Sequence, residues 1–305
     1  MAVDAARAGP SLRRVRLRLS AGFWRRPWIK AAALLVPPLA AFALVYVGSL
    51  AVLFVSAFWT VDSFTGKLEH IWNVGNFRTI FSTADPTYLR IAGRTVGIAA
   101  AVTVTDAVLA FPLGYFMARI ARPRTRTLVF VMVLLPLWSS YLVRVYAWRL
   151  ILSNDGVLNW ALGGVGLHVG LAYTNWAMWI VFSYVWLPFM VLPVYAALER
   201  IPDNYLEASS DLGATGWRTF RNVVLPLTLP GVLAGSIFTF SLTLGDYITP
   251  TLVGGAGSNF IGNVVYENVG VNSNVPFAAA FATVPVAIMA VYLVLARRLG
   301  AVEAL

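Results

Sequence analysis

The chain has 305 residues, of which 59% are hydrophobic and only 12% charged, roughly half the charge of an ordinary globular domain at about 25%; this excludes most soluble classes. Its excess of ten positive charges sits in short segments between apolar runs, which points to lipid and topology rather than to nucleic acid. No cysteine is present, so disulfides and thiolate metal sites are excluded.

The N-terminus carries Arg7, Arg13, Arg14, Arg16, Arg18, Arg25, Arg26 and Lys30, followed by an apolar run from Ala31 to Trp59. A cleavable signal has an apolar core of only about 7 to 15 residues, so the run reads as a retained first span. Before it, Leu12, Val15 and Leu19 recur at helical spacing among the arginines. That pattern fits a short helix at headgroup level and a disordered basic tail equally well.

Runs able to cross an apolar layer about 30 Å thick, at about 1.5 Å per residue, fall near 31–58, 92–118, 127–150, 176–198, 226–245 and 276–296. The predicted fold is an all-α integral membrane protein of six spans, with 1–30 as a basic segment and 31–305 as the membrane domain. The third run holds Arg144 and Arg149, which either snorkel to an interface or, for Arg144, face a protein interior. Short cytoplasmic loops are rich in Lys and Arg. With the N-terminus inside, the inner segments hold 17 of the 23 basic residues. Both termini and the 199–225 loop are therefore expected in the cytoplasm. Residues 60–91, 151–175 and 246–275, on the other side, are polar or rich in Gly, Asn and Pro and read as loops with short re-entrant or interfacial pieces.

The segment from Glu199 to Pro230 is charged and punctuated, between two membrane-length apolar runs. Pro202 and Asp203 begin a helix, with Asp203 as cap and Glu207 in its first turns, where the helix dipole favours an acid. Gly213 suits the left-handed turn that ends it after Leu212. A second short helix is expected from Gly216 to Asn222, with Trp217, Phe220, Val223 and Val224 as its apolar side, before Leu225-Pro226 leads the chain back into the membrane. The order Glu207-Ala208-Ser209, three residues, Gly213, nine residues, Val223, one residue, Leu225-Pro226 resembles the EAA loop of permease subunits of ATP-binding-cassette importers. The usual third residue of that motif is alanine, where this chain has Ser209.

That resemblance implies the type I importer permease fold, in which the loop forms coupling helices that sit in a groove of a cytoplasmic ATPase. Carried over by position, Glu207, Ala208 and Gly213 hold the motif; Trp217 and Phe220 are candidate docking contacts of our own reading. The chain lacks a Gly-x-x-x-x-Gly-Lys-Ser/Thr phosphate cradle, so ATP and Mg belong to the ATPase partner and this chain needs no cofactor. The implied partners are a second related permease forming a heterodimer, two copies of the ATPase and an external solute-binding protein, all at a bacterial cytoplasmic membrane.

Over nearly its whole length the chain also resembles the spermidine/putrescine branch of these permeases, through residues 135–148, 187–199 and 244–250. A polycation calls for carboxylates and aromatic faces along its path. Asp246, Tyr247 and Asp106 are the candidate lining residues. Asp106 has the alternative of hydrogen bonding to Thr103, Thr105 or a neighbouring helix, and Glu267 reads as a solvated acid. Arg144 would repel a cation in an open channel and is expected to pair with an acid, Asp155 being available, or with carbonyls. Gly231 and Gly235 form a small-xxx-small packing face, and Pro226 and Pro230 suggest a bend. His70 and His168 are isolated, so no metal site is expected. Alternative cargoes are an aminophosphonate, an amino acid or an oxyanion. An integral-membrane enzyme would need catalytic groups, and neither His-Glu-x-x-His nor Gly-x-Ser-x-Gly occurs.

Overall fold

The computed structural model describes residues 27–62 and 65–298; the basic segment before them, including the expected headgroup-level helix, lies outside the described residues. The chain divides into two units, Met1–Val55 and Ser56–Leu305. In the first, α1 (Pro27–Phe42) passes through a π turn (Ala43–Val47) into α2 (Gly48–Ser56). Together they give an apolar helix, Ala31–Ser56, long enough to cross a membrane. Within it Phe42 stacks on Tyr46 with ring centroids 5.1 Å apart.

The second unit begins with a two-residue ribbon, β1 (Thr60–Val61) and β2 (Leu68–Glu69), antiparallel with Thr60 opposite Glu69. It is the one β ribbon among the described residues of a chain otherwise helical. There follow α3 (Gly75–Ile80), α4 (Thr87–Tyr115) with a π turn (Phe116–Ile120), α5 (Pro123–Leu134) with a 3₁₀ turn (Leu135–Trp138), α6 (Tyr141–Leu152) and α7 (Val157–Gly163). Then come α8 (Asn175–Glu199), α9 (Asp203–Asp211), α10 (Gly216–Thr219), a π turn (Phe220–Val224), α11 (Leu225–Gly245), α12 (Ile248–Val253), α13 (Ile261–Gly270) and α14 (Val275–Arg298). Long helices satisfy every backbone N–H and C=O within the segment, which lipid demands because it offers no hydrogen bonds.

Helix α8 is apolar on all sides, the pattern of a helix surrounded by others, and it lies at the centre with α4 and α11 packed against it. Its Met178, Phe182, Val185, Met190, Val194 and Leu198 are buried. The α8–α11 contact is unusually close. A Cβ on Gly231 would stand 2.5 Å from the Ala197 Cβ and 2.6 Å from the Pro193 carbonyl oxygen, and one on Gly235 would stand 2.7 Å from the Met190 sulfur. Small residues permit this approach where lipid supplies no hydrophobic drive between helices. Polar groups add cross-links: Trp179 Nε1 donates to Thr105 Oγ1 on α4 (3.1 Å), and the Tyr292 hydroxyl on α14 donates to Ser236 Oγ on α11 (2.6 Å). One apolar cluster, around Met117, Val191, Leu198 and Val224, lies at the end carrying α9, here the loop end. Another, around Ala99, Leu244, Ile261 and Phe281, lies toward the far end.

Four of the six predicted runs have their counterparts in continuous helices, Ala31–Ser56, Thr87–Ile120, Asn175–Glu199 and Val275–Arg298. Two expectations are corrected. The third run is no straight span: Pro123–Trp138 and Tyr141–Gly163 meet at 96°. Pro136 sits in the first positions of the 3₁₀ turn and Ser139 is extended, with φ −87° and ψ 150°, so the helix cannot continue. From the loop end, α5 and its 3₁₀ turn rise roughly 26 Å, and α6 then crosses the far end. The fifth run starts earlier than predicted, because Gly216–Gly245 is a single helix. Pro226 does not break it: the π turn Phe220–Val224 opens the backbone where the proline ring would otherwise meet the Asn222 carbonyl.

Gly231→Ala is therefore expected to destabilise the chain in detergent by about 1–3 kcal/mol, because backbone must move to admit the methyl group. Gly97→Ala on α4 meets no atom within 4 Å and should stabilise by about 0.5–1 kcal/mol through helix propensity; paired denaturant melts of the two variants check both signs.

Candidate functional site

At the loop end, Pro202 is extended, with φ −66° and ψ 143°, and holds the cap position of α9 without a capping side chain. The expected cap, Asp203, is instead the first helical residue. Proline's fixed φ sets the entry one residue earlier, and the freed Asp203 carboxylate accepts from Arg119 Nη1 at 2.5 Å. The helix ends as the sequence suggests: Gly213 has φ +74°, Gly213 N donates to Ser210 O (2.9 Å) and Ala214 N to Ser209 O (3.1 Å). That pair of bonds is a Schellman cap, which needs the left-handed residue glycine adopts without strain.

The second helix is shorter than predicted on its own account, α10, and it runs on into α11 through the π turn. Ser209 Oγ and Thr219 Oγ1 hydrogen-bond at 2.9 Å, so the hydroxyl that distinguishes this chain from the alanine motif staples α9 to α10. Trp217 stacks on Phe220 at 5.3 Å, and Phe220 meets Phe111 of α4 edge-on, also at 5.3 Å. Phe220 thus roots the knob in the bundle. Trp217 remains 68% exposed and Leu212 89%, with Glu207 and Ala208 also exposed beside them. Exposed aromatic and aliphatic groups on a charged loop are the composition of a docking surface.

At the far end, Asp246 follows α11 and is buried. Its Oδ1 accepts from Ile248 N (2.7 Å) and Thr249 N (3.3 Å), capping α12. Its Oδ2 accepts from Thr249 Oγ1 (3.0 Å) and from the Tyr141 hydroxyl of α6. Burial pushes the Asp246 carboxyl above its ordinary range, and these donors act in the opposite direction. Tyr247 stacks flat on Tyr266 of α13, centroids 4.6 Å apart and planes 12° from parallel. The pair lines a cavity of about 370 Å³ with Leu244, Val265, Val269 and Ala282. Gly262 lets α13 close on this junction, since a Cβ there would stand 2.7 Å from the Asp246 carbonyl oxygen. Asn263 Nδ2 donates to Tyr247 O (2.9 Å) and Thr251 Oγ1 (2.8 Å). Glu267 is exposed.

Asp106 is elsewhere. Thr95 on α4 accepts from Ile261 N at the far end (3.3 Å), and Asp106 lies eleven residues along, roughly 16 Å away down the helix. It is fully buried and faces Ser183 of α8, yet neither of its oxygens has a hydrogen bond among the described residues. The proposed threonine partners are committed to their own helix, Thr103 to Ala99 O (2.7 Å) and Thr105 to Ala101 O (2.8 Å). Arg144 is likewise buried, with Nε and Nη1 unpartnered. The expected pair with Asp155 does not form: that residue sits in the turn beyond the end of α6 and is exposed. Among the described residues no group of three or more metal-ligating side chains comes together. Arg119, Tyr141 and Thr249 carry no local sign of a site role in the sequence: Tyr141 and Thr249 lie inside the stretches that carry the family likeness, and Arg119 stands out there only by its charge.

The chain matches the family model of the binding-protein-dependent transport system inner membrane component over residues 110–301. It is 46% identical to the inner membrane ABC transporter permease protein YdcU of Escherichia coli, over 94% of this chain and 95% of that one. It is 32% identical to the E. coli spermidine/putrescine transport system permease protein PotB, over 70% and 72%. In fold it matches a chain of a bacterial alginate ABC transporter solved with an alginate-bound periplasmic protein, with TM-score 0.74 at 18% identity, over 94% of this chain and 98% of that one.

Two substitutions separate the sites energetically. Ser209→Ala removes one hydroxyl contact and should cost only about 0.5–1.5 kcal/mol. Asp246→Ala leaves the Tyr141 and Thr249 hydroxyls only the bond they make to each other (2.7 Å) and leaves two N–H groups without their acceptor, and should cost more, about 2–4 kcal/mol, by the same accounting of unmet groups; thermal melts in detergent rank the two.

Proposed function

This chain belongs to the binding-protein-dependent transport system inner membrane components, and from that premise we propose that it carries a polyamine, spermidine or putrescine, from an external solute-binding protein into the cytoplasm. It is a multi-pass permease subunit of an ABC importer, a transport component and not an enzyme. The observation that carries the cargo reading is the Tyr247–Tyr266 stack, which presents aromatic faces to a cavity beside Asp246. Aromatic faces attract an ammonium group, and the similarity to a spermidine/putrescine permease supports the same cargo; Asp246, whose oxygens are taken by protein donors, holds the corner on which Tyr247 sits. Asp246, Tyr247 and, deeper, Asp106 line the path.

The partners are a second related permease in a heterodimer, two cytoplasmic ATPases and the binding protein; ATP and Mg are held by the ATPases. The arginine count supports cytoplasmic termini and a cytoplasmic α9–α10 knob. On that knob Glu207, Ala208, Gly213 and Trp217 meet the ATPase, while Phe220 roots the contact in the bundle. Closure of the ATPases around nucleotide moves the knob and shifts the bundle from inward-open to outward-open, and the binding protein then releases its solute. A second reading, an anionic solute, has one observation in its favour: the buried Arg144 guanidinium has unmet donors.

Proteoliposomes holding the full complex decide between them. Spermidine uptake should saturate, and Tyr247→Ala and Tyr266→Ala should each raise its KM by roughly 2- to 30-fold, the span of a cation–π contact of about 0.5–2 kcal/mol. A binding protein that retains an oxyanion and ignores spermidine in titration calorimetry, with Tyr247→Ala uptake unchanged, would show the polyamine assignment to be wrong.

A further inference from the structure

We infer that Arg119 and Arg126 form a two-arginine latch that sets the angle at which α9 leaves α8, so that α9 and the ends of α4, α5 and α8 move as one body. The inference rests on the coupling role of α9 and names the residues that transmit it. Helix α8 ends at Glu199, and only Arg200, Ile201 and Pro202 separate it from α9. Its last carbonyls have no partner within the helix. Arg119, in the π turn that closes α4, donates from Nη2 to Leu198 O (2.9 Å) and to Ile201 O. From Nη1 it pairs with Asp203 (2.5 Å). One guanidinium therefore bridges the last turn of α8, the linker and the first residue of α9.

The burial is asymmetric: the Arg119 side chain is 13% exposed and that of Asp203 81%. The arginine is a fixed part of the bundle, and the aspartate is the movable element it holds. Arg126 on α5 repeats the pattern one step back, reaching Glu199 Oε1 at 3.3 Å, which also accepts from the Tyr195 hydroxyl at 2.9 Å. Positive groups at the C-terminus of α8 are favoured by its dipole. A guanidinium, unlike an ammonium, offers several donors in a fixed plane and can serve two carbonyls and a carboxylate at once. The Ser209–Thr219 bond ties the far end of α9 to α10 and Leu206 packs on the loop-end cluster, but at the entry to α9 proline fixes only its own φ, so without the latch the Arg200 and Ile201 dihedrals alone would set the angle there.

Arg119 and Arg126 are positioning residues, and the test reads position as well as transport. The chain has no cysteine, so spin labels placed before assembly at Asn204→Cys on α9 and Val108→Cys on α4, both exposed positions outside the docking groups, report one distance in the full complex. In the otherwise unchanged complex the distance distribution should be narrow and stay so when ATP–vanadate traps the ATPases. In Arg119→Ala it should at least double in width. ATP hydrolysed per spermidine taken up should rise roughly tenfold, the factor that loss of a charge-assisted contact carries. Arg119→Lys should restore neither. Asp203→Asn, at an exposed position that tolerates change, keeps the carbonyl bonds and should give an intermediate width even if Arg119→Ala fails to assemble.

Widths and coupling ratios unchanged in both Arg119→Ala and Asp203→Asn would overturn the latch. Glu207→Ala runs in parallel: if it abolishes uptake while the Arg119 variants behave as the unchanged complex, the latch alone is wrong. If Glu207→Ala also leaves uptake unaltered, the coupling role of α9 fails and the latch falls with it. The distance measurement needs no cargo, so a wrong cargo assignment does not affect it.

Discussion

The bundle depends on the contact of α11 with α8 at Gly231 and Gly235. Between helices in lipid there is no hydrophobic gain from association, because the surrounding chains are as apolar as the side chains they would replace. What remains is van der Waals contact, and its strength falls steeply with a gap of even half an ångström. Two glycines set against Pro193 and Met190 bring the backbones together and give α8 a fixed neighbour on that side, as α4 does on another. Both functional ends inherit their geometry from this core. The loop end is the place where α8 stops and α11 begins through α10, and the far end is where α11 stops and Asp246 turns the chain into α12.

The polar groups divide into two kinds. Asp246 is buried with both oxygens occupied by donors from two helices, so it fixes the α6–α12 corner as firmly as a buried carboxylate can. Asp106 and Arg144 are buried with donors or acceptors unmet, which is costly in any interior. Groups left in that condition inside a membrane protein mark places where a ligand, water or a second arrangement of the helices completes the bonding. The saturated corner and the two groups without hydrogen bonds among the described residues are therefore not interchangeable candidates: Asp246 is architecture that places its neighbours Gly245 and Tyr247 on the aromatic cavity, and Asp106 and Arg144 are not held in that way.

Much of this was legible in the residues. The spans ending near Ile120, Glu199 and Arg298 follow from apolar runs whose length leaves no competing structure, and the Schellman cap at Gly213 from the one residue type that takes φ +74° without strain. Pro136 misled because prolines are tolerated inside bundled helices, as Pro188 and Pro193 are in α8; only the packing of α6 across the far end shows that this one ends a helix. Leu225-Pro226 misled in the opposite sense, since a π turn absorbs the proline and the helix continues. Tyr141 and Arg119 could not be read as site residues, because their meaning lies in partners 105 and 84 positions away. Periodicity reports neighbours within a turn or two and is silent about those.

The continuity of α10, the π turn and α11 has a mechanical consequence. Gly216–Gly245 is 30 residues long, about 45 Å of rod at the usual rise, and Gly231 stands at its middle. This close contact of α11 with α8 is thus a fulcrum with nearly equal arms of about 22 Å each. Any tilt about it displaces Trp217 and Asp246 by similar distances in opposite directions, without gain or loss of travel. A see-saw of this kind delivers at one membrane face a movement as large as the one imposed at the other.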